Sequence, residues 1–411
     1  MAVPLKTALS STATATAAVA SGSGAASFVP RAVFEVSPSI TRSYFLGHHA
    51  GALSSMRRIL SNIGLVLECR DSRVPLTSAN PLLESALAGR DRIVVYTKSE
   101  LCAPPAAHRQ LDRQQRLLSK WHAARRGGGL AAAAAEMERG SAGAGAAATD
   151  ADDAVGQTHV LFTDELKPRS VQKLLAAIKD RAAASESLTG LRALVVGMPN
   201  AGKSTLLNAL RREGMRLPKA ARTGAQPGVT RKLGTPVRVA PEDVDEGIDE
   251  GVFVLDTPGV FVPHVSDVES MLKLSLVGCV KDGLVHAETL ADYLLFQMNL
   301  RDPAAYADFC APTNDARAFL DAVATRTGKL GRGGVPSRER AADWVVQQWR
   351  KGHLGRFGLD DVTEESLAAW ARRLDGAGGR ESLSMNQARK REKEARKAKN
   401  AAKRAAAADG A

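Results

Sequence analysis

The sequence predicts an α/β fold: three layers around a largely parallel sheet, followed by a small, mainly helical C-terminal domain. Three observations carry this expectation. Short apolar, β-branched runs alternate with helical segments from about Tyr44 onward, the pattern of strands covered by helices on both faces. One of these runs ends in a glycine-rich loop that opens a helix. Beyond about Ser266 the strand-like runs stop and the pattern becomes helical, with Trp344 to Trp349 inside one helix.

The elements follow in order. Residues 63–69 (Ile-Gly-Leu-Val-Leu-Glu-Cys) form the first buried strand, short and apolar throughout as parallel strands are. Residues 80–87 form a helix, with Asn80 as its cap and Pro81 at its first position. Residues 92–96 and 159–162 are the next strands, and an amphipathic helix over 171–178 follows the second. The strand at 193–196 ends in the glycine loop, helix 205–211 comes after it, and the last strand is 252–255. Two stretches interrupt the pattern: residues 127–153, mostly Ala and Gly, read as a flexible insertion, and 243–250 as an acidic loop or hairpin. Residues 389–404, rich in Lys and Arg with alanine spacers, read as an extended basic arm.

Composition narrows the function classes. The 411 residues leave room for a nucleotide-binding domain and a second, smaller unit. A net charge of +12 favours an acidic partner such as RNA or an anionic lipid surface. The four cysteines form no CxxC pair, and their wide spacing suits neither a zinc site nor a disulfide framework, so free thiols in a reducing compartment are expected. No apolar run approaches the roughly 20 residues of a spanning helix, so any membrane association is expected to be peripheral. Residues 1–34 are rich in Ala, Ser and Thr, carry Lys6 and Arg31, and precede the first acidic residue, Glu35. That composition reads as an organellar transit peptide, mitochondrial or chloroplast, or as a plain disordered leader.

The chemistry concentrates in a few motifs. Gly197-Met198-Pro199-Asn200-Ala201-Gly202-Lys203-Ser204-Thr205 is a complete phosphate-binding loop. Its glycines let backbone N–H groups face the phosphates, and the helix N-terminus adds a favourable dipole. Lys203 is placed to reach the β- and γ-phosphates and Ser204 to ligate Mg²⁺; Asn200, Ala201, Gly202 and Thr205 complete the surface offered to the nucleotide. Asp256-Thr257-Pro258-Gly259 follows an apolar strand, so Asp256 can hold Mg²⁺ through water and the Gly259 N–H can sense the γ-phosphate. Between them, Gln226-Pro227-Gly228-Val229-Thr230 offers Thr230 as a further Mg²⁺ ligand. A guanine reader of the Asn-Lys-x-Asp type is absent after Asp256. The candidate is Thr97-Lys98-Ser99-Glu100, ahead of the phosphate loop; Thr97 lacks the usual amide and Glu100 adds a methylene, both of which loosen discrimination against adenine. Val260 stands where many GTPases place a water-orienting glutamine, so that group must come from elsewhere.

This motif order resembles the circularly permuted GTPases that assist assembly of the large ribosomal subunit, in particular their mitochondrial ribosome-associated branch, fungal-like, and its bacterial relatives. Tyr44-Phe45-Leu46-Gly47-His48 resembles that family's aromatic-Phe-Pro-Gly-His motif, with Leu46 in place of proline. Asp71-Ser72-Arg73-Val74-Pro75 followed by Ser78-Ala79-Asn80-Pro81 resembles its Asp-Ala-Arg-x-Pro…Asn-Pro segment. Gly278-Cys279-Val280-Lys281-Asp282, Gly333-Gly334 and residues 351–357 resemble landmarks of its helical domain, so the likeness spans residues 44–359.

The resemblance implies a GTPase that hydrolyses GTP to GDP and phosphate with Mg²⁺, and with His48 as the catalytic residue. It implies an Asn200 that helps bind K⁺. The implied partners are the large mitochondrial ribosomal subunit and its rRNA. The implied protein is a monomer in the matrix, in peripheral contact with the inner membrane at most. The expected boundaries are a transit peptide at 1–34, the permuted GTPase domain at 35–265, the helical domain at 266–375 and a basic disordered tail at 376–411. The alternative is an RNA-binding, ribosome-associated scaffold with a weak or vestigial nucleotide site.

Overall fold

The structure is a computed structural model that describes residues 3–5, 28–36, 40, 47–124, 157–164, 167–185, 187, 189–221, 223–224, 230, 233–262, 265 and 267–378. The chain opens with two short antiparallel strands, β1 (Val3–Leu5) and β2 (Phe34–Val36). Six further strands build the main sheet: β3 (Leu65–Asp71), β4 (Arg92–Thr97), β5 (Thr158–Phe162), β6 (Leu191–Gly197), β7 (Val237–Ala240) and β8 (Val252–Asp256). Their order across the sheet is β5-β4-β3-β6-β8-β7. All neighbours run parallel except β7, which lies antiparallel on β8 as an edge. The strand carrying the phosphate loop, β6, is thus central, between β3 and β8.

Every residue of β3 and β4 is buried, as strands covered on both faces must be. On one face Leu65, Leu67, Ile93, Val195 and Val254 pack with α4 (Pro168–Ala183) and α5 (Lys203–Met215). On the other, Val66, Leu194 and Val196 meet α1 (Gly47–Ile59) and α2 (Pro81–Ala86). Farther along that face, Val94 and Tyr96 meet α3 (His108–Ala124). The cap of α2 is the expected one: the Asn80 side chain accepts from the Leu82 N–H at 3.0 Å, with Pro81 at the first position.

The first main-sheet strand extends two residues past the apolar run, because its last residues are charged yet buried. Glu68 and Arg70 belong to a buried network with Glu84 and Arg92. Arg70 donates to Glu68 at 2.7 Å and to Glu84 at 2.5 Å, while Arg92 donates to the same two carboxylates at 3.0 and 2.9 Å. Ion pairing lets the ladder run on to Asp71, opposite Thr97. The acidic stretch at 243–250 is a tight turn closed by an antiparallel bridge between Asp243 and Ile248.

The helical domain contains α6 (Val268–Leu276), α7 (Ala287–Arg301), α8 (Ala316–Thr327) and α9 (Arg338–Arg350). Asp267 caps α6 through the Ser270 N–H at 2.7 Å. Its core is one apolar cluster that also takes in Val74, Met198 and Phe261 from the sheet domain.

Two segments tie the domains together. Phe34 and Val36 are buried in the core of the helical domain, the Phe34 ring lying edge-on to Tyr293 at 5.2 Å. Arg31 pairs with Asp292 at 2.6 Å. An apolar pair at alternate positions of a strand, flanked by an arginine with an acid in reach, has more to gain from that core than from solvent. The last described stretch, α10 (Glu364–Gly378), returns to the sheet domain, where Leu367 packs with Val94, Tyr96 and Trp121, and the Trp121 and Trp370 rings meet at 4.6 Å. The insertion at 127–153 and the basic arm at 389–404 lie outside the described residues. Among the described residues, no helix is long and apolar enough to cross a membrane.

Candidate nucleotide site

The phosphate loop is shaped by close backbone approach. Gly197 closes β6 at φ +141°, and a Cβ there would lie 2.3 Å from the Cys69 carbonyl oxygen, so no side chain fits. Asn200 and Gly202 also take positive φ, which turns the loop back before α5 begins at Lys203. The Lys203 ammonium is buried and donates to the Met198 carbonyl at 2.7 Å and the Gly197 carbonyl at 3.3 Å. Burial pushes its pKa down, against the pull of the Asp256 carboxylate.

Three side chains expected around a metal come together. Ser204 donates its hydroxyl to Asp256 Oδ2 at 2.6 Å, Thr230 reaches the same oxygen at 3.4 Å, and the two hydroxyls lie 3.3 Å apart. The other carboxylate oxygen, Asp256 Oδ1, is buried and has no hydrogen-bond partner among the described residues. A buried orphan oxygen beside two hydroxyls is a hard, oxygen-only donor set that fits Mg²⁺. Beyond Asp256, Gly259 presses against the loop so tightly that a Cβ would stand 2.6 Å from Pro199 N and Cα. Val260 is buried, its N–H donating to the Gly197 carbonyl at 3.1 Å.

The end of β4 reaches the loop from the other side. The Thr97 hydroxyl donates to the Ala201 carbonyl at 3.0 Å or to the Arg70 carbonyl at 3.2 Å, and Thr97 packs beneath Gly202. Lys98 takes a left-handed conformation and joins the Asp71 carboxylate and the Asn200 carbonyl, each at 2.8 Å. Burial disfavours the Asp71 carboxylate, yet Arg73 and Lys98 together hold its carboxyl well below the usual carboxylate range. Glu100 lies half-buried in the 3₁₀ turn Ser99–Leu101. Thr205 is half-buried in the first turn of α5. His48 falls in the first turn of α1; Tyr44, Phe45 and Leu46 before it lie outside the described residues.

Lys98, Asn200, Gly202, Lys203, Ser204, Thr205, Thr230 and Gly259 line a cavity of about 300 Å³ whose far wall belongs to the helical domain, while Thr97, Glu100 and Asp256 are not among its lining residues. Sequence reasoning does not place that wall in the site: Gln347, Arg350 and Lys351 lie some 150 residues beyond the phosphate loop, and the likeness at 351–357 marks Lys351 only as part of the helical domain. Arg73 was seen only as part of a motif. In the structure it donates to both Asp71 oxygens at 3.0 and 2.8 Å and stacks over the Trp349 ring at 4.9 Å. The Asn200 amide nitrogen donates to the Gly278 carbonyl at 2.7 Å, tying the phosphate loop to the helical domain.

A phosphate loop on a central strand, an Asp-x-x-Gly turn on the neighbouring strand and a Lys-bearing loop that precedes both in the chain define a circularly permuted P-loop GTPase. A family model described as a 50S ribosome-binding GTPase matches residues 192–311. Mitochondrial GTPase 1 of Schizosaccharomyces japonicus is 33% identical over 348 residues, covering 81% of this chain and 93% of the relative. Mitochondrial ribosome-associated GTPase 1 of Xenopus tropicalis is 29% identical, covering 81% and 99%. GNP-bound YlqF from T. maritima aligns with a TM-score of 0.43 at 20% identity, over 75% of this chain and 97% of that one. The chain belongs to the mitochondrial GTPase 1 family, and it is a mitochondrial GTP-binding protein that hydrolyses GTP.

Proposed function

We infer that this protein assists assembly or function of the large mitochondrial ribosomal subunit, docking with GTP and leaving after hydrolysis. The observation that carries the reading is the convergence of the Ser204 and Thr230 hydroxyls on the Asp256 carboxylate, at the end of a strand that leads within a dozen residues into the helical domain at Val268. Whatever orders that carboxylate biases the attached domain. The family description and the name of the Xenopus relative both point to a ribosomal partner.

Each group has a role in this reading. Lys203 neutralises the β- and γ-phosphates. Ser204, Thr230 and Asp256 would hold Mg²⁺, which would supply positive charge against the charge developing on the phosphates. The Gly259 N–H reports the γ-phosphate. Lys98 and Thr97 brace the phosphate loop, and Glu100 receives the guanine donors. Because Val260 is buried and apolar, His48 orients the attacking water. Asn200 helps bind K⁺ near the phosphates. The helical domain and the basic arm contact rRNA by shape and charge, with salt-sensitive affinity. The assembled Mg²⁺-binding side chains favour this reading over a scaffold with a vestigial site.

Purified protein is expected to hydrolyse GTP slowly and faster with large mitochondrial subunits, and Lys203→Ala is expected to lose both rates. Equal hydrolysis of ATP and GTP would sink the guanine assignment. Full subunit stimulation in Lys203→Ala would sink the switch.

A further inference from the structure

The nucleotide cavity is a cleft between two domains, and the helical wall carries charge of the right sign. Arg73, Lys98, Lys203, Arg350 and Lys351 all line it. Four of these are already committed. Arg73 and Lys98 bind Asp71, and Lys203 binds loop carbonyls. Arg350 donates to the Leu276 and Ser275 carbonyls at 2.8 Å each and to Asp282 at 3.0 Å. Lys351 is exposed at the C-terminal cap of α9, and among the described residues its ammonium has no hydrogen-bond or ion-pair partner.

The backbone that carries Lys351 is held firmly. Its N–H caps α9 by donating to the Gln347 and Gln348 carbonyls at 3.3 and 3.2 Å. The next residue, Gly352, has φ +77° and abuts the 3₁₀ turn at the end of β4, where a Cβ would stand 2.7 Å from Leu101. On its other side, the preceding carbonyl, that of Arg350, accepts from Arg73 at 3.4 Å. A cation without an acceptor, anchored beside the base-reading turn and facing the phosphate loop, lacks one thing: an anion.

We propose that Lys351 is a nucleotide-binding residue supplied in cis by the helical domain, and that the polyphosphate of GTP is its anion. The nucleotide is then held between two walls, with Lys203 on one and Lys351 on the other. Gln347, one turn earlier on the same helix, lines the cavity beside it as a neutral donor. This deepens the GTPase reading and rests on it. Its consequence is that nucleotide binding itself draws α9 toward the phosphate loop, in addition to any movement that follows from Asp256.

The test measures binding of a non-hydrolysable GTP analogue to the full-length chain, together with nucleotide-free melting temperatures. A lost charge-assisted contact weakens binding by about tenfold. Lys351→Gln is expected to lose about that factor, Lys351→Arg to keep wild-type binding, and both to melt like wild type without nucleotide, since the side chain is exposed. Hydrogen exchange at residues 348–352 should slow on adding the analogue to wild type but not to Lys351→Gln. If Lys351→Gln binds like wild type while Lys203→Ala does not, the proposal falls and the phosphate site stands. If Lys203→Ala binds like wild type, the reading of the site falls and takes the proposal with it.

Discussion

Lys203 shows at the scale of one residue how function is held against stability. Its ammonium is buried, satisfied by two carbonyls, and its pKa is pushed down by that burial. The sign follows from linkage. In the unfolded chain the lysine keeps its proton up to about pH 10.4, so below that value the unfolded state binds more protons. Stability therefore rises with pH between the folded and unfolded pKa values. Lys203→Met is expected to raise the melting temperature of the nucleotide-free protein and to flatten that rise, while abolishing nucleotide binding. A melt series between pH 7 and 10 on both proteins checks it. Lys203, Ser204 and Asp256 were legible in the sequence because phosphate chemistry needs them at fixed local spacing. Thr97 was legible only by its place after a strand, and the structure gives it a physical part: a short side chain that fits beneath Gly202 while its hydroxyl reaches a loop carbonyl.

Among the elements, those with a plain apolar signal were visible from the sequence, and those stabilised by ion pairs or distant packing were not. The strand at 92–97 and the capped helix at 81–86 follow from local pattern. The last two residues of β3 do not, because Arg70 and Asp71 read as a strand end until Glu84 on α2 and Thr97 on β4 are known to lie beside them. β7 is a four-residue edge, Val-Arg-Val-Ala, apolar at three positions but too short a run to announce itself. The buried network beneath β3 gives a direct test. Glu68→Ala leaves Arg70 and Arg92 sharing Glu84 alone in a buried setting, and is expected to cost about 3–5 kcal/mol. Urea unfolding should show that loss as a lower midpoint; a midpoint within error of wild type would mean water reaches the network.

Across the whole molecule, the two domains are joined by more than one covalent path. The chain leaves Asp256 for α6, β2 comes forward to the helical core, and α10 returns to the sheet. Noncovalent links run through the site itself, from Asn200 to Gly278 and from Arg73 to Trp349 and Arg350. The permutation was legible as motif order, but this interlocking was not. It depends on which distant apolar residues find a common core, and Phe34 and Leu367 carry no local sign of their partners. In such a molecule a change at the phosphates has little freedom to stay local. Co-sedimentation of the purified protein with large mitochondrial ribosomal subunits, with a non-hydrolysable GTP analogue or with GDP, tests the central claim most directly. Co-migration with the analogue, loss with GDP and loss in Lys203→Ala are the predicted results. Equal co-migration with both nucleotides would contradict a GTP-controlled switch.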